Sequence, residues 1–176
     1  MVYYKRNTKL AKRQKGFEPM EQAKKVYATL RTVLEQRDFP AQYDDEELVA
    51  YFKGTGEDMP MEFFFRVNAK SGIVTVFSKL PFSFPEERRT EGALGTLMLN
   101  DTFPFGCFDY NVFDGGVRFR GALCFRDSVL SESALDWLVG CAIAVVEEFN
   151  DKLLALSTGI LDLDAFAKHI NPKTPF

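Results

Sequence analysis

Apolar and polar residues alternate most clearly between Cys107 and Arg126. Val117, Phe119, Gly121, Leu123 and Phe125 fall on one side of an extended chain, and Arg118, Arg120, Ala122, Cys124 and Arg126 on the other. Just upstream, Phe108, Tyr110 and Val112 form the apolar set, while Cys107, Asp109 and Asn111 go with the polar one. The pattern predicts two antiparallel strands joined by a tight turn at Asp114-Gly115-Gly116. Because a slip of one residue would exchange the faces, only certain registers are compatible. A loop at Asp114-Gly115 pairs Val112 with Val117 and sets Asp109 opposite Arg120. A loop at Gly115-Gly116 keeps the faces and sets Cys107 opposite Cys124. Both dipeptides accept positive φ.

Elsewhere the period changes with the element. Met20, Ala23, Tyr27, Leu30 and Leu34 recur at helical spacing after Pro19, which predicts an amphipathic helix ending near Asp38. Three short strands are expected at Leu48 to Lys53, Met61 to Asn68 and Ile73 to Ser78. In the middle one Phe64 stands on the polar face between Glu62 and Arg66, so that face is expected to be partly covered by a partner, a tail or a second subunit. Leu80 to Pro85 is read as a break, followed by a helix from Pro85-Glu86-Glu87 to about Asn100. Gly92 and Gly95 weaken that helix and permit close approach of a neighbouring element or a symmetry mate. The last long helix is capped by Ser131 and stopped by Gly159, with a core stripe of Leu135, Leu138, Ala142, Val145, Phe149, Leu153 and Leu156. Trp137, Cys141 and Ala144 give it a second apolar side. Asp162 to Ile170 is long enough for one or two amphipathic turns.

Composition adds a folded core and removes several partners. Of the 176 residues 46% are hydrophobic and 18 are Phe, which excludes disorder. Six basic and no acidic residues lie in positions 1–15; the rest holds 16 basic against 25 acidic residues, a net of −9, so the body repels nucleic acid. The apolar run of the last helix is too short for a membrane span of roughly 20 residues, and no secretory leader is visible. Three cysteines without a CxxC suit the reducing cytoplasm.

Reactive chemistry is scarce. The single histidine, His169, lies near the C-terminus, which disfavours a nucleophilic triad and excludes a histidine metal site. Asp44-Asp45-Glu46-Glu47 lacks the spacing of a calcium loop and reads as solvated. Gly54 and Gly56 lead into carboxylates and lack a phosphate-loop lysine. Carboxylate pairs such as Glu147-Glu148 belong to solvated faces. Neither a cofactor nor an enzymatic activity is expected. The polar cluster that stands out is Arg118, Arg120 and Arg126 on one strand face with Asp109 nearby. It reads as a docking strip for an acidic peptide or carboxylate, or as a solvated face with an Asp109–Arg120 pair.

The run LMLNDTFPFGCFDYNVFDGGVRFRGALCF, with Pro81, Pro85-Glu86-Glu87 and the helix Ser131 to Phe149, resembles the YbjN family, which is similar in fold to type III secretion chaperones. The resemblance covers about residues 20–158 and is carried by Asn100, Gly106, Phe108, Asp114-Gly115 and the closing helix. It implies an α+β domain with one five-stranded antiparallel sheet and three helices, in the order α-β-β-β-α-β-β-α. The chain is expected to divide into a basic, partly ordered extension (1–18), this domain (19–158) and a short tail (159–176). Chaperones of this fold commonly dimerise and hold an extended segment of a partner protein. The expected function is therefore a non-catalytic protein-binding module, chaperone-like or regulatory and homodimeric, with Phe64, Arg118, Arg120 and Arg126 as partner-binding residues. The alternative is a sensor that takes a small molecule between sheet and helices.

Overall fold

The computed structural model describes residues 19–126 and 128–170. The basic extension over residues 1–18 lies outside them. In chain order the elements are α1 (Pro19–Gln36), β1 (Gln42–Asp44), β2 (Val49–Thr55), β3 (Pro60–Asn68), β4 (Ile73–Ser83), α2 (Arg89–Asn100), β5 (Cys107–Tyr110), β6 (Gly116–Cys124), α3 (Glu132–Thr158) and α4 (Leu163–Ile170). One sheet runs β1-β2-β3-β4-β6-β5, antiparallel throughout. Helices α1 and α3 pack together on one of its faces, while α2 fits against β5, α3 and α4. The interlayer is filled by fully buried Phe63, Phe65 and Phe119 from the sheet, Phe125 just beyond β6, and Leu30, Leu34, Leu135 and Leu138 from the helices.

The expected count of five strands and three helices is corrected to six and four. β1 was not expected because three residues beside an acidic run show no alternation. It forms where Tyr43 pairs with Ala50 and the Tyr27 hydroxyl donates to the Val49 carbonyl at 2.8 Å. The acidic run itself is the turn from β1 to β2, with the Asp44 carboxylate accepting from the backbone N–H groups of Glu46 and Glu47. α4 extends the expected turns to eight residues and buries Phe166 completely.

Two boundaries also differ. β4 does not break at Leu80 but continues to Ser83, because its register with β6 shifts between Lys79 and Ser83 and relieves Pro81 of a ladder bond. The hairpin adopts neither expected register. Cys107 faces Arg120, Asp109 faces Arg118 and Tyr110 faces Val117, two residues away from the nearer alternative, so the faces are kept. The loop is longer because side chains build it: Asn111 accepts from Phe113 N–H at 3.0 Å and Asp114 from Gly116 N–H at 2.8 Å.

Helix α3 follows the capping expected of it, whereas α2 starts at Arg89, after a single 3-10 turn over Glu86–Arg88, and not at Pro85. Ser131 Oγ accepts from Ala134 N–H at 3.2 Å, and Gly159 ends α3 at a φ of 80°. The core stripe departs from expectation halfway along: Val146 and Asn150 are buried, whereas Val145 and Phe149 are half-buried. Phe149 turns instead to stack on Phe103, with ring centroids 5.8 Å apart, and Trp137 packs on the edge of Phe105 at 4.6 Å. The loop after α2 thereby covers part of the second apolar side of α3. The close approach at α2 is internal, since a Cβ on Gly92 would lie 2.7 Å from the Phe84 ring.

Candidate functional site

The helices cover one face of the sheet. On the other, register places residues from five strands in one transverse row: Tyr51 faces Phe64, Phe64 faces Phe77, Phe77 faces Arg120 and Arg120 faces Cys107. A parallel row carries Val49, Arg66, Thr75 and Ala122. Alternation forces this arrangement, because every second residue of β3 and β4 enters the core as Phe63, Phe65, Val74 or Val76 and sends its neighbour outward. The Tyr51 and Phe64 rings meet with centroids 4.7 Å apart, yet Phe64 stays 48% exposed. Two half-buried rings, Tyr51 and Phe77, flank it on the same face.

The row ends in a charged cluster. Asp109 is 28% exposed and accepts from Arg120 through both oxygens, Nε to Oδ2 at 2.9 Å and Nη2 to Oδ1 at 3.0 Å. Arg118 Nε reaches the same Oδ2 at 3.1 Å, and its guanidinium lies 5.2 Å from the centroid of the Phe77 ring. The Arg120 hydrogen bonds hold the Asp109 carboxyl below the usual carboxylate range, and they raise Arg120 in turn. Cys107 Sγ lies 3.5 Å from Asp109 Oδ1 and accepts from Arg120 Nη2 at 3.1 Å. Burial pushes its thiol up in spite of the adjacent Arg120.

Of the residues singled out from sequence, Phe64, Arg118 and Arg120 share this face, and Phe77 links the ring to the two arginines. Arg126 does not join them. Six residues further along, about 20 Å on an extended chain, it donates to the Ser71 carbonyl at 3.2 Å above the β3–β4 turn. Tyr51, Phe77 and Lys79, also on this face, were not singled out. Phe77 and Lys79 alternate with the buried Val76, Ser78 and Leu80, and that alternation was the available signal. Lys79 faces Arg118 directly.

Other chemistry is sparse. Among the described residues no group of His, Cys, Asp and Glu side chains is placed to hold a metal ion. No helix among them is long and apolar enough to cross a membrane. A shallow cleft at the end of the open face is lined by Pro60, Glu62, Lys79, Pro81, Phe82 and Asp114.

Comparison with known proteins adds two findings. The family model described as "YbjN: Putative bacterial sensory transduction regulator" matches residues 27–155. Curated proteins yield no match. Among the solved structures that match is the crystal structure of the ExsC–ExsE complex, with a TM-score of 0.53 and 12% identity, over 74% of this chain and 95% of that one. At that identity the likeness is one of fold.

Proposed function

The chain belongs to the YbjN family, and from that premise we propose that it is a non-catalytic protein-binding module, chaperone-like or regulatory, that docks a partner segment on the open face of its sheet. The observation that carries this reading is the row Tyr51–Phe64–Phe77, three aromatic side chains outside the core with charged groups at one end. Aromatic and arginine side chains are the usual anchors of protein interfaces, and a row of rings left beside water has little value to the fold alone. The solved neighbour is itself a complex, which is in keeping with such a role.

The reading includes a homodimer acting in the cytoplasm, with a further apolar residue exposed at Phe113. Light scattering at high concentration tests the dimer, and a strict monomer would count against it. The docking face is tested by replacing Phe64 or Phe77 with a photoreactive phenylalanine in the native host, with Leu94 on α2 as the control position. A defined partner should cross-link from the sheet positions and not from Leu94, and Phe64→Ser should reduce its co-purification. Equal capture from all three positions would remove this face from consideration. The small-molecule alternative gains no specific observation: the space between sheet and helices is filled by phenylalanine and leucine side chains.

A further inference from the structure

Lys79 and Arg118 face each other directly across the β4–β6 pair on the open side of the sheet. Like charges in facing positions repel, so this pairing does not serve the sheet. Among the described residues Lys79 makes no ion pair. Arg118 has only Asp109, which already gives both oxygens to Arg120. Lys79, Arg118 and Arg120 therefore crowd adjacent strands, with Asp109 held by the two arginines and Glu62, which lines the same cleft as Lys79, held by Lys53, in a body that is otherwise acidic. Two positions before Lys79 on β4, and so on the same face about 7 Å away, lies Phe77, with Phe64 beside it.

We propose that this is a two-point site for an extended segment of a partner protein in which a large apolar or aromatic residue is followed two positions later by Asp or Glu. This rests on reading the open face as the docking surface. The partner's apolar side chain lies on Phe64 and Phe77, and its carboxylate bridges Lys79 and Arg118, which offsets the repulsion between them. In an extended chain residues two apart point the same way, about 7 Å from one another, which is the spacing of Phe77 and Lys79. A free carboxylate would meet the cations but leave the rings uncovered, so the geometry favours a peptide. Charge disfavours the chain's own basic N-terminus, whose six cations would add to the excess.

The test uses three fluorescent synthetic peptides and fluorescence anisotropy. The first repeats Phe-Ser-Asp-Ser; the second has the same composition with Phe and Asp adjacent; the third carries Lys in place of Asp. The first should bind at least tenfold more tightly than the others, and weaken on raising salt from 50 to 300 mM, as screening of exposed charges requires. Lys79→Glu, Arg118→Glu and Phe64→Ser should each weaken it at least tenfold, with urea unfolding confirming that the variants are folded. Equal binding of the first two peptides, or undiminished binding to Lys79→Glu, would overturn the proposal. Phe64-dependent binding of the lysine peptide would do so too, while leaving the docking face standing. If no peptide binds, the two-point site fails; cross-linking from Phe64 then decides whether the docking face fails with it. A change of oligomeric state in Lys79→Glu without peptide would assign the face to a second copy instead.

Discussion

Gly115 sits so close to Phe84 that a Cβ built on it would overlap the Phe84 carbonyl oxygen, while Phe84 N–H donates to the Gly115 carbonyl at 2.9 Å. The residue that follows β4 is thereby tied to the turn of a hairpin about thirty residues further on. Gly115 also has a φ of 73°, a conformation that costs a residue with a Cβ about 1–2 kcal/mol. Moving the Phe84 backbone to relieve the overlap adds roughly 1–3 kcal/mol, as overpacking does in cores. Gly115→Ala should therefore lower the unfolding free energy by about 2–5 kcal/mol in urea titrations. A loss under about 1 kcal/mol would show that the turn gives way freely and does not fix the hairpin.

Asn100 clamps the outer edge of the sheet. Its Oδ1 accepts from Phe108 N–H at 2.7 Å and its Nδ2 donates to the Phe108 carbonyl at 3.0 Å, so a side chain takes the place of a further strand beside β5. Asn100→Ala leaves two partly buried backbone groups without partners, at about 1–3 kcal/mol each. Circular dichroism should record a markedly lower melting temperature, and the freed edge should increase aggregation at high concentration. Asn100→Asp keeps the shape, cannot donate to the carbonyl, and should be nearly as destabilising. If it melts like the parent, the clamp reading fails.

The parts of the fold legible in sequence are those where one residue's neighbours decide its environment. Period two assigned the faces of β3 and β6 correctly, and the Ser131 cap and the Gly159 stop bracket α3 as expected. What could not be read depends on distant residues. The hairpin register rests on Asn111 and Asp114 closing a longer loop and on Phe84 packing against Gly115. β1 exists only because β2 offers Ala50 and Val49 as partners. The candidate site shows the same division. Phe64 announced itself by breaking alternation, whereas Phe77 and Lys79 joined it only once β3–β4 and β4–β6 registers were known. Arg126 looked equivalent to Arg118 and Arg120 because a strand pattern encodes the face and not the distance.

Cys107 and Cys124 should differ in reactivity. Burial holds the Cys107 thiol up, with the adjacent Asp109 carboxylate acting in the same direction, while Cys124 is exposed. At pH 8, iodoacetamide followed by peptide mass spectrometry should label Cys124 first. Asp109→Asn removes the carboxylate and leaves Arg118 and Arg120 beside the sulfur, so Cys107 labelling should accelerate severalfold relative to Cys124. Unchanged labelling would mean that burial alone controls the thiol.

The Asp109 carboxylate also gives the sheet an acid-sensitive contribution whose sign follows from its environment. Its folded-state value is lowered by the Arg120 hydrogen bonds, against about 3.9 in an unfolded chain. The unfolded state therefore takes up a proton first as pH falls, so the stabilisation is fully present well above pH 4. It is lost progressively between the unfolded value and the lower folded one. Asp109 is partly exposed and shares its charge with two arginines in contact with solvent, so the size of the effect is that of a screened ion pair, about 1 kcal/mol. Urea unfolding at pH 7, 5, 4 and 3 should show the parent losing more stability across the acid range than Asp109→Asn, the two curves drawing together as pH falls. Parallel curves would mean that Asp109 has the same proton affinity folded and unfolded, and that the arginines do not hold it.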